Sequence, residues 1–167
     1  MITNGKHIKF KVFSRLLSES ESAVDANAQM SHIWISIFNV TDDKPDVHQN
    51  KFCRDVLFLE FDDTDTEGCV FGGREMELMS KDQAHQLIEF VKKHLDRIGL
   101  ICVNCEAGIS RSSACAAALS LLINGHDSGI GDDNYYYYPN AHVQSLILRE
   151  GTALHELAIK DGFKKDI

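Results

Sequence analysis

Residues 100–123 read Leu100-Ile-Cys-Val-Asn-Cys105-Glu-Ala-Gly-Ile-Ser-Arg111-Ser-Ser-Ala-Cys115-Ala-Ala-Ala-Leu-Ser120-Leu-Leu-Ile123. Three kinds of segment follow one another in this stretch. The apolar run 100–103, directly after Gly99, has the length and composition of a buried strand. Residues 112–123 are rich in Ala and Leu and apolar on nearly every side, which predicts a helix buried all round. Between them lies a short glycine-containing loop with a cysteine at its start and an arginine six positions later. A loop that curls into a helix N-terminus aims several backbone N–H groups at one point, and with the helix dipole these form a cradle for an anion such as a dianionic phosphoryl group. Gly108 permits a backbone conformation or a close ligand approach that a side chain would obstruct. Arg111 offers a planar fork matched to two phosphate oxygens. Cys105 then lies at the floor of the cradle, where a positive field favours the thiolate, the nucleophilic form.

Working outward, strand and helix signals alternate. Ile8, Phe10 and Val12 alternate with His7, Lys9 and Lys11 as in a half-buried strand, and a helix is expected over 14–28. Residues 33–40 and 55–61 are apolar runs of strand formers bounded by Asp, Asn and Lys, and are expected to be interior strands. Residues 62–78 are acidic, glycine-containing and aperiodic, and are expected to form a loop. Ser80 with Gln83 makes a capping box, after which Ala84, Leu87, Ile88, Val91 and Leu95 fall at helical spacing up to Gly99. Residues 124–134 are Gly- and Asp-rich, 135–138 are four tyrosines, and Pro139-Asn140 opens a final helical region to about Lys160. The order predicts a single α/β domain over 1–167, with a central, mostly parallel sheet covered by helices on both faces. In such sheets ligands bind beyond the carboxyl ends of strands, where 105–111 is expected to lie.

Composition narrows the function further. The chain has 167 residues, 17 Lys+Arg against 25 Asp+Glu, and a net charge of −8, a field that repels nucleic acid and anionic lipid. The longest nearly apolar stretch, 114–123, is far short of the about 20 residues a membrane span needs, and residues 1–7 do not resemble a signal peptide. A cytoplasmic protein is expected, without nucleic-acid partner or membrane insertion. Five cysteines, at 53, 69, 102, 105 and 115, leave at least one thiol free.

Cys105-x5-Arg111 followed by Ser112, with Gly108 three positions after the cysteine, resembles the signature of the cysteine-dependent protein tyrosine phosphatases, nearest to the small dual-specificity type. The resemblance extends less specifically from about Ile33 to Leu148, where Pro139-Asn140 is similar to the loop that follows the signature helix in that family. It does not reach the first 30 residues. The resemblance implies a phosphatase acting through a phosphocysteine intermediate on a phosphorylated protein or a small phosphomonoester, without metal or cofactor. Cys105 is then the nucleophile, Arg111 and the amides of Glu106, Ala107, Gly108, Ile109 and Ser110 hold the phosphoryl oxygens, and Ser112 hydrogen-bonds the departing sulfur. The family also needs an aspartic acid upstream as general acid; Asp63 is the first candidate and Asp62 the second, both directly after the strand expected to end at Phe61. The chain departs from the family where His usually precedes the cysteine. Here it has Asn104, whose amide donates hydrogen bonds but carries no charge. The alternative reading is therefore a catalytically weak or inactive phosphate-binding pseudophosphatase.

Two other patterns compete. Cys102-Val-Asn-Cys105 has redox or zinc spacing, but there is no second Cys pair at zinc spacing, and neither Pro45 nor Pro139 sits in a context that completes a thioredoxin-like site. Cys53, Cys69 and Cys115 are expected to be structural. The tyrosine run is expected to be a half-buried edge segment, with ring stacking on a ligand or phosphorylation as its other uses.

Overall fold

Four of the apolar runs pair into one parallel sheet: β1 (Lys9–Ser14), β2 (His32–Phe38), β3 (Cys53–Glu60) and β6 (Leu100–Cys105), in the order β1-β6-β2-β3. The computed structural model describes residues 5–130 and 136–163. Every residue of β6 and β2 is buried, as strands covered on both faces must be, whereas the edge strands β1 and β3 are only partly so. Alternation divides the sheet's side chains. Ile33, Ile35, Ile37, Ile101 and Val103 face a large core shared with the helices α3 (Lys81–His94), α4 (Arg111–Asn124), α5 (Ala141–Glu150) and α6 (Thr152–Lys160). Trp34, Leu100 and Cys102 face a smaller core with Val24 and Ala28, on and just beyond α2 (Glu21–Asn27). The sheet is thus covered on both faces.

The boundaries differ from the sequence reading at three places, each for a local reason. The segment expected as one helix over 14–28 is two, α1 (Arg15–Ser18) and α2. Ser20 adopts an extended conformation and its hydroxyl accepts from Ala23 N at 3.3 Å, so a second N-cap interrupts the run. The final helical region likewise breaks into α5 and α6 at Gly151, which packs so tightly on α4 that a Cβ there would stand 2.3 Å from Leu122 Cδ1. Within the acidic loop a two-stranded hairpin forms, β4 (Val70–Phe71) with β5 (Arg74–Glu75). Gly72 and Gly73, both at positive φ, make its two-residue turn. The capping box of α3 is present in full, with Ser80 and Gln83 satisfying each other's backbone N–H groups. Tyr135 and residues 131–134 lie outside the described residues; of the rest of the tyrosine run, Tyr136 and Tyr138 are exposed and Tyr137 packs against the main core.

Candidate active site

Cys105 is the last residue of β6 and Arg111 the first of α4, so residues 106–110 form the connection at the carboxyl end of a central strand. The loop's carbonyls are tied into the framework. Glu106 O accepts from Arg15 N at 3.1 Å, Ile109 O from Tyr138 N at 3.0 Å, and Ser110 O from Asn140 N at 3.1 Å. The Ser113 hydroxyl also donates to Ile109 O and, at 3.0 Å, to Ser110 O. By contrast, no backbone N–H of residues 106–110 donates to an acceptor among the described residues. Turning the carbonyls outward and leaving the amides unpaired is the polarity of an anion nest. Gly108 makes the tight curl possible: its φ is +71°, and a Cβ there would lie 2.7 Å from Phe13 C and Ser14 N.

Cys105 is 2% exposed and its Sγ lies 3.0 Å from the buried Ser112 Oγ. Arg111 is also 2% exposed. One guanidinium nitrogen donates to Phe61 O at 2.7 Å, while Nε is buried without a partner, and Arg111 forms no ion pair with any described residue. A buried cation with an unused donor is costly unless an anion completes it. Glu106, Ala107 and Ile109 are exposed at the loop's outer side.

The two aspartates differ sharply. Asp62, 2% exposed, receives both terminal nitrogens of Arg74 at 2.8 and 3.1 Å, Glu77 N at 2.8 Å and Val40 N at 3.3 Å. The Arg74 guanidinium, ahead of the two backbone donors, holds its carboxyl below the usual carboxylate range against the opposing effect of burial. A depressed folded-state value means that this carboxylate stabilises the fold above about pH 4, the unfolded value, and that the contribution is lost as pH falls through the folded one. Thermal unfolding between pH 3 and 7 is therefore expected to show an acid-side loss that Asp62→Asn flattens; an unaltered acid limb in that variant would contradict the assignment. Asp63 is exposed instead, and its Oδ1 accepts from Ser110 Oγ at 2.9 Å and Asn140 Nδ2 at 3.0 Å. It lines a cleft of about 700 Å³ with Asp65, Ser110, Tyr137, Tyr138 and Asn140.

Three residues act at the site that sequence reasoning did not assign to it. Asn140 caps α5 by accepting from Val143 N at 3.1 Å and donates to both Asp63 Oδ1 and Thr64 O, joining the acidic segment, the loop and the last helices. Arg74 anchors Asp62 from the hairpin. Trp34 Nε1 donates to Asn104 Oδ1 at 2.7 Å in the core beneath the loop, which gives an amide at position 104 a structural reason: the buried indole needs an acceptor there. The Pro139-Asn140 pair was visible in the sequence; the Trp34 contact had no local signal.

Of the other thiols, Cys69, expected to be structural, is instead exposed and lines the cleft with Asp63, whereas Cys53, Cys102 and Cys115 lie apart from it. Cys102 packs with Trp34 on one face of the sheet and Cys105 belongs to the core on the other, as positions three apart on a strand must, so their spacing does not bring the sulfurs together as a dithiol. Burial pushes the Cys102 and Cys115 thiols well above their ordinary range and Cys53 up to about 11. Away from the cleft, Glu21, Asp25 and His48 bring one ligand atom each within 4.8 Å of one another; His48 Nε2 lies 3.3 Å from Asp25 Oδ1, an ordinary surface pair.

No family model matches the sequence, and no curated protein does either. Solved structures do. The human tyrosine phosphatase-like serine/threonine/tyrosine-interacting protein superposes with a TM-score of 0.59 at 20% identity, over 88% of this chain and 93% of that one. Human DUSP28 gives 0.57 at 14% identity over 88% and 94%. A mouse putative dual specificity phosphatase, solved with zinc tungstate, gives 0.56 at 15% identity over 90% and 86%. The chain shares the fold of these dual-specificity phosphatase and phosphatase-like structures, one α/β domain built on a parallel sheet. No helix among the described residues is long and apolar enough to cross a membrane.

Proposed function

We propose that the chain is a cysteine-dependent phosphatase that hydrolyses phosphomonoesters through a phosphocysteine intermediate. The observation that carries the reading is Arg111, a buried guanidinium with an unpartnered Nε beside a loop of unpaired amides and a cysteine at its start. A tetrahedral dianion satisfies all of these donors at once. In the first step Cys105 sulfur forms a bond to phosphorus as the ester oxygen leaves with its electron pair, and Asp63 gives that oxygen a proton. In the second, Asp63 takes a proton from water, whose oxygen attacks phosphorus; sulfur departs and inorganic phosphate is released. Ser112, 3.0 Å from the sulfur, donates to it as it leaves. Asp63 fits the acid's role better than Asp62 because it faces the cleft, whereas Asp62 is fully occupied by Arg74 and two backbone donors. Five free thiols accord with a reducing compartment, so the cytoplasm is the proposed location.

The second reading, a phosphate-binding chain without turnover, is favoured by Asn104: with its oxygen committed to Trp34, the position preceding the nucleophile carries no positive charge. Hydrolysis of an aryl phosphate, blocked by vanadate, supports the first reading; binding of vanadate with no turnover supports the second. Asp63→Asn refines the test. It is expected to leave nitrophenyl phosphate, whose leaving group needs no proton, nearly unaffected in bond cleavage, to slow an alkyl phosphate about 10²–10⁴-fold, and to flatten the alkaline limb of the pH profile. Equal losses on both substrates would remove Asp63 from the role.

A further inference from the structure

We propose that the cleft beside the phosphate cradle selects phosphoprotein segments carrying Lys or Arg next to the phosphorylated residue, and disfavours substrates with additional anionic groups. The inference deepens the phosphatase reading and rests on it for the position of the phosphoryl group. Its starting point is where the charge lies. Residues 60–77 carry seven carboxylates against a single cation, Arg74, so most of the chain's net charge of −8 sits on the segment that runs from β3 through the hairpin. Arg74 itself is spent on Asp62. Asp63 and Asp65 line the 700 Å³ cleft, and Glu67, Glu75 and Glu77 line a second hollow of about 420 Å³ on the same segment of chain.

The second observation is the continuity of this cleft with the cradle. Ser110 belongs to the loop and also lines the cleft, and its hydroxyl holds Asp63. A phosphoryl group seated on Arg111 therefore directs the rest of its substrate along a wall of carboxylates. The third is the aromatic surface in the same cleft: Tyr137 and Tyr138 line it together with Asp63 and Asp65, and Tyr138 is 82% exposed. Open ring faces next to carboxylates bind guanidinium and ammonium groups through cation–π attraction together with charge pairing. They offer nothing to a second phosphate. An inositol polyphosphate or a nucleotide would bring its extra charge against uncompensated carboxylates, whereas a basic peptide neutralises them. The occupant is thus a cationic segment of a phosphoprotein.

The test compares kcat/KM for three phosphotyrosine peptides of equal length with Lys/Arg, neutral or Glu flanks, together with vesicles containing a phosphoinositide. The basic peptide is expected to exceed the neutral one about tenfold and the acidic one by more, and the advantage is expected to collapse as salt rises from 0.1 to 1 M, where the screening length contracts from about 10 to about 3 Å. In the Glu67→Gln/Glu75→Gln double variant the basic-to-neutral ratio is expected to fall toward one. Equal rates on all peptides, or preference for the vesicles, would overturn the inference while leaving the phosphatase reading intact. Conversely, if the wild-type protein turns over no phosphomonoester, anisotropy of the labelled peptides on Cys105→Ser still decides: the same basic, neutral, acidic order of affinity would sustain the surface and retire the hydrolase, and no order would sink the surface as well.

Discussion

Replacing Cys105 by serine is expected to lower turnover of an aryl phosphate at least about a thousandfold, or about 4 kcal/mol of barrier, while vanadate or phosphate still binds. The asymmetry follows from the division of labour in the loop. On the proposed reading the anion is held by backbone amides and Arg111, none of which the substitution touches, whereas the nucleophile changes from a sulfur to a hydroxyl, the intrinsically weaker nucleophile, with no base beside it among the described residues. Cys105 is buried, and serine is smaller and already accommodated 3.0 Å away in Ser112, so the fold is expected to hold. Steady-state kinetics with anion binding by calorimetry checks both halves. A serine variant with a tenth of the wild-type rate would rule out sulfur as the nucleophile.

Arg111→Lys is expected to cost about 10²–10³ in kcat/KM, about 3–4 kcal/mol of transition-state stabilisation. The guanidinium divides its donors, one nitrogen fixed on Phe61 O and Nε left for the ligand. A lysine ammonium has to choose between these duties, because a single compact charge cannot span the carbonyl and two phosphoryl oxygens. Anion affinity and rate should fall together, in contrast to the cysteine variant, in which only rate falls. Wild-type-like kinetics in Arg111→Lys would mean that the side chain serves the packing of α4 alone.

What could be read from the sequence was what is local in the chain. The strand, loop and buried helix of residues 100–124 are consecutive, so spacing alone places cysteine, glycine and arginine around one point. The burial of α4 on nearly every side and of β6 on both faces has the same origin in a covered parallel sheet. The features that escaped depend on partners far along the chain. Asp62 and Asp63 are neighbours of identical chemistry, and only Arg74 on one side and Ser110 with Asn140 on the other tell them apart. Asn140 lies 77 positions from Asp63, and Trp34 lies 70 from Asn104. The two helix breaks were missed for a different reason: an internal serine cap at Ser20 and a glycine pressed on Leu122 override an otherwise continuous helical pattern.

Asn104 illustrates how such a distant contact alters a functional argument. Considered alone, an amide in place of the family's imidazole weakens the support of the nucleophile. In the structure its oxygen is locked by the Trp34 indole, so the remaining Nδ2 donor is held buried beneath the loop in one orientation. The loop is built around an amide, and a larger ring at this position has to displace the indole contact.

The phosphocysteine intermediate is the central claim, and its most direct test is the intact mass of the Asp63→Asn protein denatured within milliseconds of mixing with nitrophenyl phosphate. Because that leaving group needs no proton, the first step proceeds, while loss of the base that activates water slows the second and lets the intermediate accumulate. The account predicts a mass gain of one phosphoryl group that maps to Cys105. Release of nitrophenol and phosphate with no adduct at any time, or an adduct that persists in the additional presence of Cys105→Ser, would contradict it.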